Sequence, residues 1–159
     1  MKTKYRLAIA ALGLGLLMSA AQADSGTARE AFASGVEAFN AKRFEAAVTS
    51  FEQASATVPQ SAEYQHWLGR AYGRLAEQSS WLRATELARK TCAAFERAHA
   101  LDPNDVGTVE DLIEYYTEAP AFLGGGSNKA AAMKRYLEQL QQGAARTVSV
   151  DGTTALPAR

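Results

Sequence analysis

The chain has 159 residues, 17 basic against 17 acidic side chains, and one cysteine. That length points to one domain. The single cysteine excludes an internal disulfide framework and a cysteine-rich zinc site, and 33 alanines against nine valines and isoleucines together argue for helices over a large sheet.

The first predicted element is an address label. Lys2, Lys4 and Arg6 form a basic start, Leu7 to Met18 is an apolar run, and Ala21-Gln22-Ala23 fits a cleavage site before Asp24. This is the three-part pattern of a secretory signal peptide, so residues 1–23 are expected to be removed after Ala23. The apolar run is short of the roughly 20 residues that span a bilayer. No later stretch is long and apolar enough, so no stable membrane insertion is expected after cleavage. The signal is bacterial in style; the periplasm is the expected location and secretion the alternative. Removing residues 1–23 takes away three positive charges and leaves 14 basic against 17 acidic residues, a net charge of −3. That balance speaks against a nucleic-acid or anionic-membrane partner.

From Thr27 to Gln142 the pattern is helix interrupted by loops. Two stretches end alike, Phe51-Glu52-Gln53-Ala54 to Pro59 and Phe95-Glu96-Arg97-Ala98 to Pro103, with Phe, Glu, Ala and Pro at the same offsets. Gly35 precedes Phe44, Ala47 and Phe51. Leu68-Gly69 and Tyr72 follow, and Gly35 to Gly69 is 34 residues. Small residues at Gly35, Ala47, Gly69 and Ala98 would let paired helices approach. Phe44, Phe51, Tyr72 and Phe95 would fill the holes, and the prolines would end each unit.

A period of 34 residues with these residues in these places resembles the tetratricopeptide repeat family. The resemblance implies an all-α fold, an α-α superhelix or solenoid of about three helix-turn-helix repeats within residues 24–142. The repeats run at about 28–61, 62–105 and 106–142, the second and third with extended connectors. Ala38 departs from the pattern, where the family carries an aromatic residue. The third repeat rests on Leu112, Ile113 and Tyr116.

The second repeat holds ten extra residues between Tyr72 and Thr91. Ser79-Ser80 offers a helix N-cap before Trp81. Trp81, Ala84, Ala88, Cys92, Phe95 and Ala98 then recur at helical spacing, so one long helix is expected from about Ser80 to Ala100. Cys92 lies on this stripe and is expected to be a buried thiol. The third connector runs from Glu118 through Gly124-Gly125-Gly126 to Asn128, and Ala130, Met133, Leu137 and Leu140 stripe the last helix. Residues 143–159 lack a stripe and are expected to form a flexible tail.

Candidate chemistry is sparse. Gly124 to Lys129 lacks the glycine before and the hydroxyl residue after the lysine that a phosphate loop requires. His66 and His99 are the only histidines and lie 33 residues apart. No nucleophile–base arrangement can be proposed from spacing. The expectation is therefore no enzyme, no catalytic residue, no cofactor and no metal.

Charge is more informative. Asp102 to Glu118 carries six acids and no basic residue, whereas Arg70, Arg74, Arg83, Arg89, Lys90 and Arg97 make the preceding repeat basic. The resemblance implies a concave groove lined by the first helix of each repeat. Carried over onto this chain, its candidate partner-binding residues are Phe32, Phe39, His66, Arg70, Arg74, Glu110 and Glu114. Arg70 and Glu114 hold equivalent places in adjacent repeats and are expected to pair. Phe32 and Val36 stand where some relatives hold a lysine–asparagine clamp for a peptide carboxylate. An alternative surface is the overhanging edge, with Trp81, Leu82, Phe122 and Leu123. The expected function is a periplasmic protein–protein interaction scaffold that binds another protein or a peptide, with oligomerisation left open. The alternative is an assembly factor for an envelope machine such as a pilus, an outer-membrane complex or a cytochrome maturation system.

Overall fold

A computed structural model describes residues 26–151, with side chains through residue 146. Residues 1–25, which include the expected signal segment, and residues 152–159 lie outside the described residues. The described chain is all helical, without strands: α1 spans residues 26–40, α2 Phe44–Thr57, α3 Ala62–Ala76, α4 Trp81–Leu101, α5 Val106–Glu118 and α6 Ser127–Asp151. A 3-10 turn at Ala121–Leu123 stands between α5 and α6.

The helix ends repeat a local chemistry. Pro59 and Pro103 each fall two residues beyond the helix they follow, where a missing amide and a fixed φ stop propagation. Two residues further on, a side chain caps the next helix. Ser61 Oγ accepts from the Tyr64 amide at 3.3 Å, and Asp105 Oδ2 accepts from the Thr108 amide at 3.0 Å. Each cap satisfies an amide that has no partner inside the helix. The α1–α2 turn closes differently. Arg43 N donates to Ala38 O at 2.8 Å and Lys42 N to Phe39 O at 2.9 Å, with Lys42 at φ 58°. This is the paired bonding of a Schellman turn, with lysine in the left-handed place that usually holds glycine.

Packing joins neighbours in chain order: α2 on α3, α3 on α4, α4 on α5 and α5 on α6. Two glycines let neighbouring helices approach closely. A Cβ at Gly35 would lie 2.6 Å from Phe51 Cε1, and one at Gly69 would lie 2.5 Å from Phe95 Cδ1. Each phenylalanine ring therefore fills the space that the glycine leaves open, at equivalent places in the two units. Two tyrosine–glutamate bonds recur with the same logic: Tyr72 donates to Glu52, and Tyr116 donates to Glu96 at 2.8 Å. In both, a tyrosine on the first helix of one unit holds the glutamate that follows the ring-bearing phenylalanine of the previous one.

One apolar cluster gathers Phe44, Phe51, Leu68, Tyr72, Leu75 and Leu87. A second gathers Cys92, Phe95, Leu112, Tyr116 and Ala130. A smaller one ties Ala28 and Ala31 to Ala54 and Tyr64. Cys92 is a buried free thiol within the second cluster.

Three expectations change. The long helix is present, but its buried face begins at Leu87; Trp81 is 77% exposed. At 21 residues α4 is longer than α3 at 15 or α5 at 13, so its first turn finds no apolar partner. Ser80 occupies the N-cap position without a side-chain bond, while Ser79 Oγ instead donates to Leu75 O at 2.8 Å, closing the end of α3. Helix α6 also continues through Gly143 to Asp151, with residues 141–146 exposed. Ala144, Ala145 and Arg146 favour helix intrinsically, so α6 persists where no apolar stripe requires it.

The glycine connector is a backbone device. Gly124 sits at φ 96°, and a Cβ on Gly125 would lie 1.8 Å from Ala119 O. Only glycine fits that second position. The amides of Gly124, Gly125 and Gly126 donate to Ala121 O, Pro120 O and Tyr116 O, so none of the three points at open space for an anion.

Candidate binding groove

Helices α3 and α5 face each other across a concave cavity of about 440 Å³, with α4 behind them as its floor. The α3 side presents Arg70, Gly73, Arg74 and Glu77. The α5 side presents Asp111, Glu114, Tyr115 and Glu118. Ala88, Thr91 and Phe95 form the floor, Phe39 closes the α1 side and Leu123 the connector side. Such a volume lies within the range of ligand pockets.

At one end the two walls are clipped together by His66. Its Nε2 lies 2.6 Å from Asp111 Oδ2 and its Nδ1 3.7 Å from Asp105 Oδ2, with the ring 15% exposed. The imidazole also tilts against the Phe95 ring at 5.7 Å. Asp105 is the α5 N-cap as well. Burial pushes its carboxyl upward, but the Thr108 hydroxyl and amide, His66 and the Gly107 amide outweigh that and hold it below its ordinary value.

Arg70 is fixed by stacking. Its guanidinium lies 4.8 Å from the Trp67 ring centre and 5.5 Å from that of Phe39, where the ring faces attract a cation. Its carboxylate partner is Asp111 at 3.9 Å, not Glu114 as equivalent repeat places suggest. Arg74 lies over Phe44 at 5.6 Å and pairs at 2.7 Å with Glu77, the residue that ends its own helix. The basic wall thus has its carboxylates already in place. On the acidic wall, Glu114 and Glu118 have no cationic partner among the described residues.

The far wall is held by Tyr115. Its hydroxyl lies 2.7 Å from both Ala88 O and Leu123 O, and its one proton serves one carbonyl at a time. Burial, then the neighbouring Cys92 and Glu96, push this phenol up to about 12. Beneath it, burial and Glu96 push the Cys92 thiol up to about 11. Lys129 donates to Gly124 O at 3.0 Å, lies 3.6 Å from Glu96 and stands over the Tyr116 ring. These contacts pin the connector against α4 and α5.

The residues singled out from sequence separate into distinct places. Phe39, Arg70, Arg74 and Glu114 line the cavity. His66 clips its end. Phe32 stacks on Tyr64 at 4.7 Å and packs against Phe51 and Trp67, in the apolar interior between α1, α2 and α3. Glu110 is exposed and outside the cavity lining. On the alternative edge, Trp81, Leu82 and Phe122 are 77%, 74% and 65% exposed. Leu123 is half-buried and lines the groove instead. Sequence reasoning missed Asp111 and Tyr115. The His66–Arg70 spacing of four residues puts two donors on one helix face and was the available signal for a carboxylate opposite. Among the described residues no group of three or more His, Cys, Asp or Glu side chains is arranged to hold a metal ion. No described helix is long and apolar enough to cross a membrane. No protein-family model matches the chain, and no curated protein matches it significantly.

Proposed function

We propose that this chain is an exported tetratricopeptide-type interaction module, binding a peptide or partner protein through the α3–α5 groove, and not an enzyme. The observation that carries the reading is the groove itself. It is concave, walled by the first helices of successive units, and lined by stacked arginines and carboxylates around an aromatic and small-residue floor. A groove of this composition offers a peptide backbone and side chains both apolar contact and charge. The tetratricopeptide reading is supported by the 34-residue spacing and by the recurring glycine–phenylalanine and tyrosine–glutamate pairs. The periplasmic location rests on residues 1–23 alone.

A second surface has its own support. Trp81 and Leu82 project from the first turn of α4 and Phe122 from the connector, and large exposed apolar side chains mark docking sites. Capture of partners from the cell envelope with Arg70→Glu and Trp81→Ala separates the two surfaces, with circular dichroism to verify folding. Loss with Arg70→Glu alone supports the groove, and loss with Trp81→Ala alone moves the contact to the edge. Unchanged capture by both variants refutes the reading.

A further inference from the structure

We infer that the groove selects a basic peptide segment, one that sets a lysine or arginine against Glu114 and Glu118 beside an apolar side chain. The inference rests on the groove being a peptide site and adds the chemistry of its occupant. The lining carries two arginines and four carboxylates, Glu77, Asp111, Glu114 and Glu118. Both arginines are already matched, Arg70 by Asp111 and two ring faces, Arg74 by Glu77 and one. An acidic ligand would have to share the arginines with carboxylates already beside them. A cationic ligand breaks nothing, because the unmatched charge is negative.

Helix polarity reinforces the asymmetry. Glu114 and Glu118 lie toward the C-terminus of α5, and the last turn of that helix has no basic residue. The negative end of the helix dipole therefore adds to two carboxylates that a cation would normally balance there. Both glutamates are exposed, so they are not retained as core pairs. Next to them Tyr115, Leu123 and Phe95 supply apolar surface at a depth set by two small residues, Ala88 on the floor and Gly73 on the α3 wall. Charge complementarity of this kind governs which partners approach and in what register.

The test pans a random peptide library displayed on phage against the purified full chain, then measures the selected peptides by fluorescence anisotropy. Four proteins are compared: wild type, Glu114→Gln/Glu118→Gln, Arg70→Glu and the floor-filling Ala88→Trp, each checked by circular dichroism. The expected result is enrichment of lysine or arginine beside an apolar residue. Affinity should fall about tenfold in the double glutamine variant, and added salt should weaken binding to the wild type more than binding to that variant. Selected peptides that depend on Arg70 and Ala88 but carry no basic excess would overturn the charge inference and leave the peptide groove standing. No peptide dependent on any groove residue would overturn both. Competition by free spermidine as effective as that by the peptides would replace the peptide with a small polycation.

Discussion

Two glycines on α3 should respond to the same substitution with opposite signs. At Gly69 an added Cβ would meet Phe95 Cδ1 at 2.5 Å and Cε1 at 2.6 Å. The ring would have to retreat about 1 Å to restore an ordinary carbon–carbon separation. It cannot do so freely, because Phe95 is 6% exposed and packed with Leu112 and Tyr116 in the second cluster. Overpacking of this sort costs about 1–3 kcal/mol. Replacing a helical glycine with alanine returns about 1 kcal/mol. The net expectation for Gly69→Ala is a loss of up to about 2 kcal/mol, at about 3–4 °C in melting temperature per kcal/mol for a chain of this size. One turn later, a Cβ at Gly73 would meet only Thr91, at 3.7 and 3.8 Å, which is ordinary contact. Gly73→Ala should therefore raise stability by about 0.5–1 kcal/mol. Urea and thermal unfolding of the two variants provide the assay. A double-mutant cycle of Gly69→Ala with Phe95→Leu should show that the smaller side chain relieves the clash. Equal effects at the two glycines, or a gain at Gly69, would refute the account of how α3 seats against α4.

Two further predictions concern local geometry and pH. Lys42→Gly should stabilise the α1–α2 turn by about 1 kcal/mol, since the native lysine is held at φ 58° where a side chain strains the backbone; no change in the urea midpoint would count against that reading. The Tyr115 phenol is raised from an ordinary 10.0 to about 12 in the fold. A raised folded value means that its contribution is complete below pH about 10 and is lost as pH rises toward 12. The urea midpoint of the wild type should fall over that window more steeply than that of Tyr115→Phe, and parallel curves would refute the role of the phenol.

What could be read from the sequence was local. Pro59 and Pro103 marked helix ends because a proline blocks propagation wherever it stands. Gly35 and Gly69 marked close approaches because the facing aromatic recurred at a fixed offset along the chain. The length of α4 and the burial of Cys92 followed from one helical stripe. Ala144 to Arg146 show the limit of that approach. Helix there rests on intrinsic preference, which leaves no stripe to read.

The groove was a different kind of object. Phe32 and Phe39 both pack against Trp67, yet Phe32 is stacked on Tyr64 in the interior while Phe39 borders the cavity with Arg70 over its ring. Arg70 faces Asp111 and not Glu114 because the register between α3 and α5 is set by the His66 clip, a contact across 45 residues. The opening balance of 17 basic and 17 acidic side chains determined the overall charge but not its arrangement. Residue spacing alone determined that the chain forms helices with small and large faces, since each face depends on one helix. Only the tertiary structure decided which charges neutralise one another and which are left to a partner, since that depends on how separate helices come together in space.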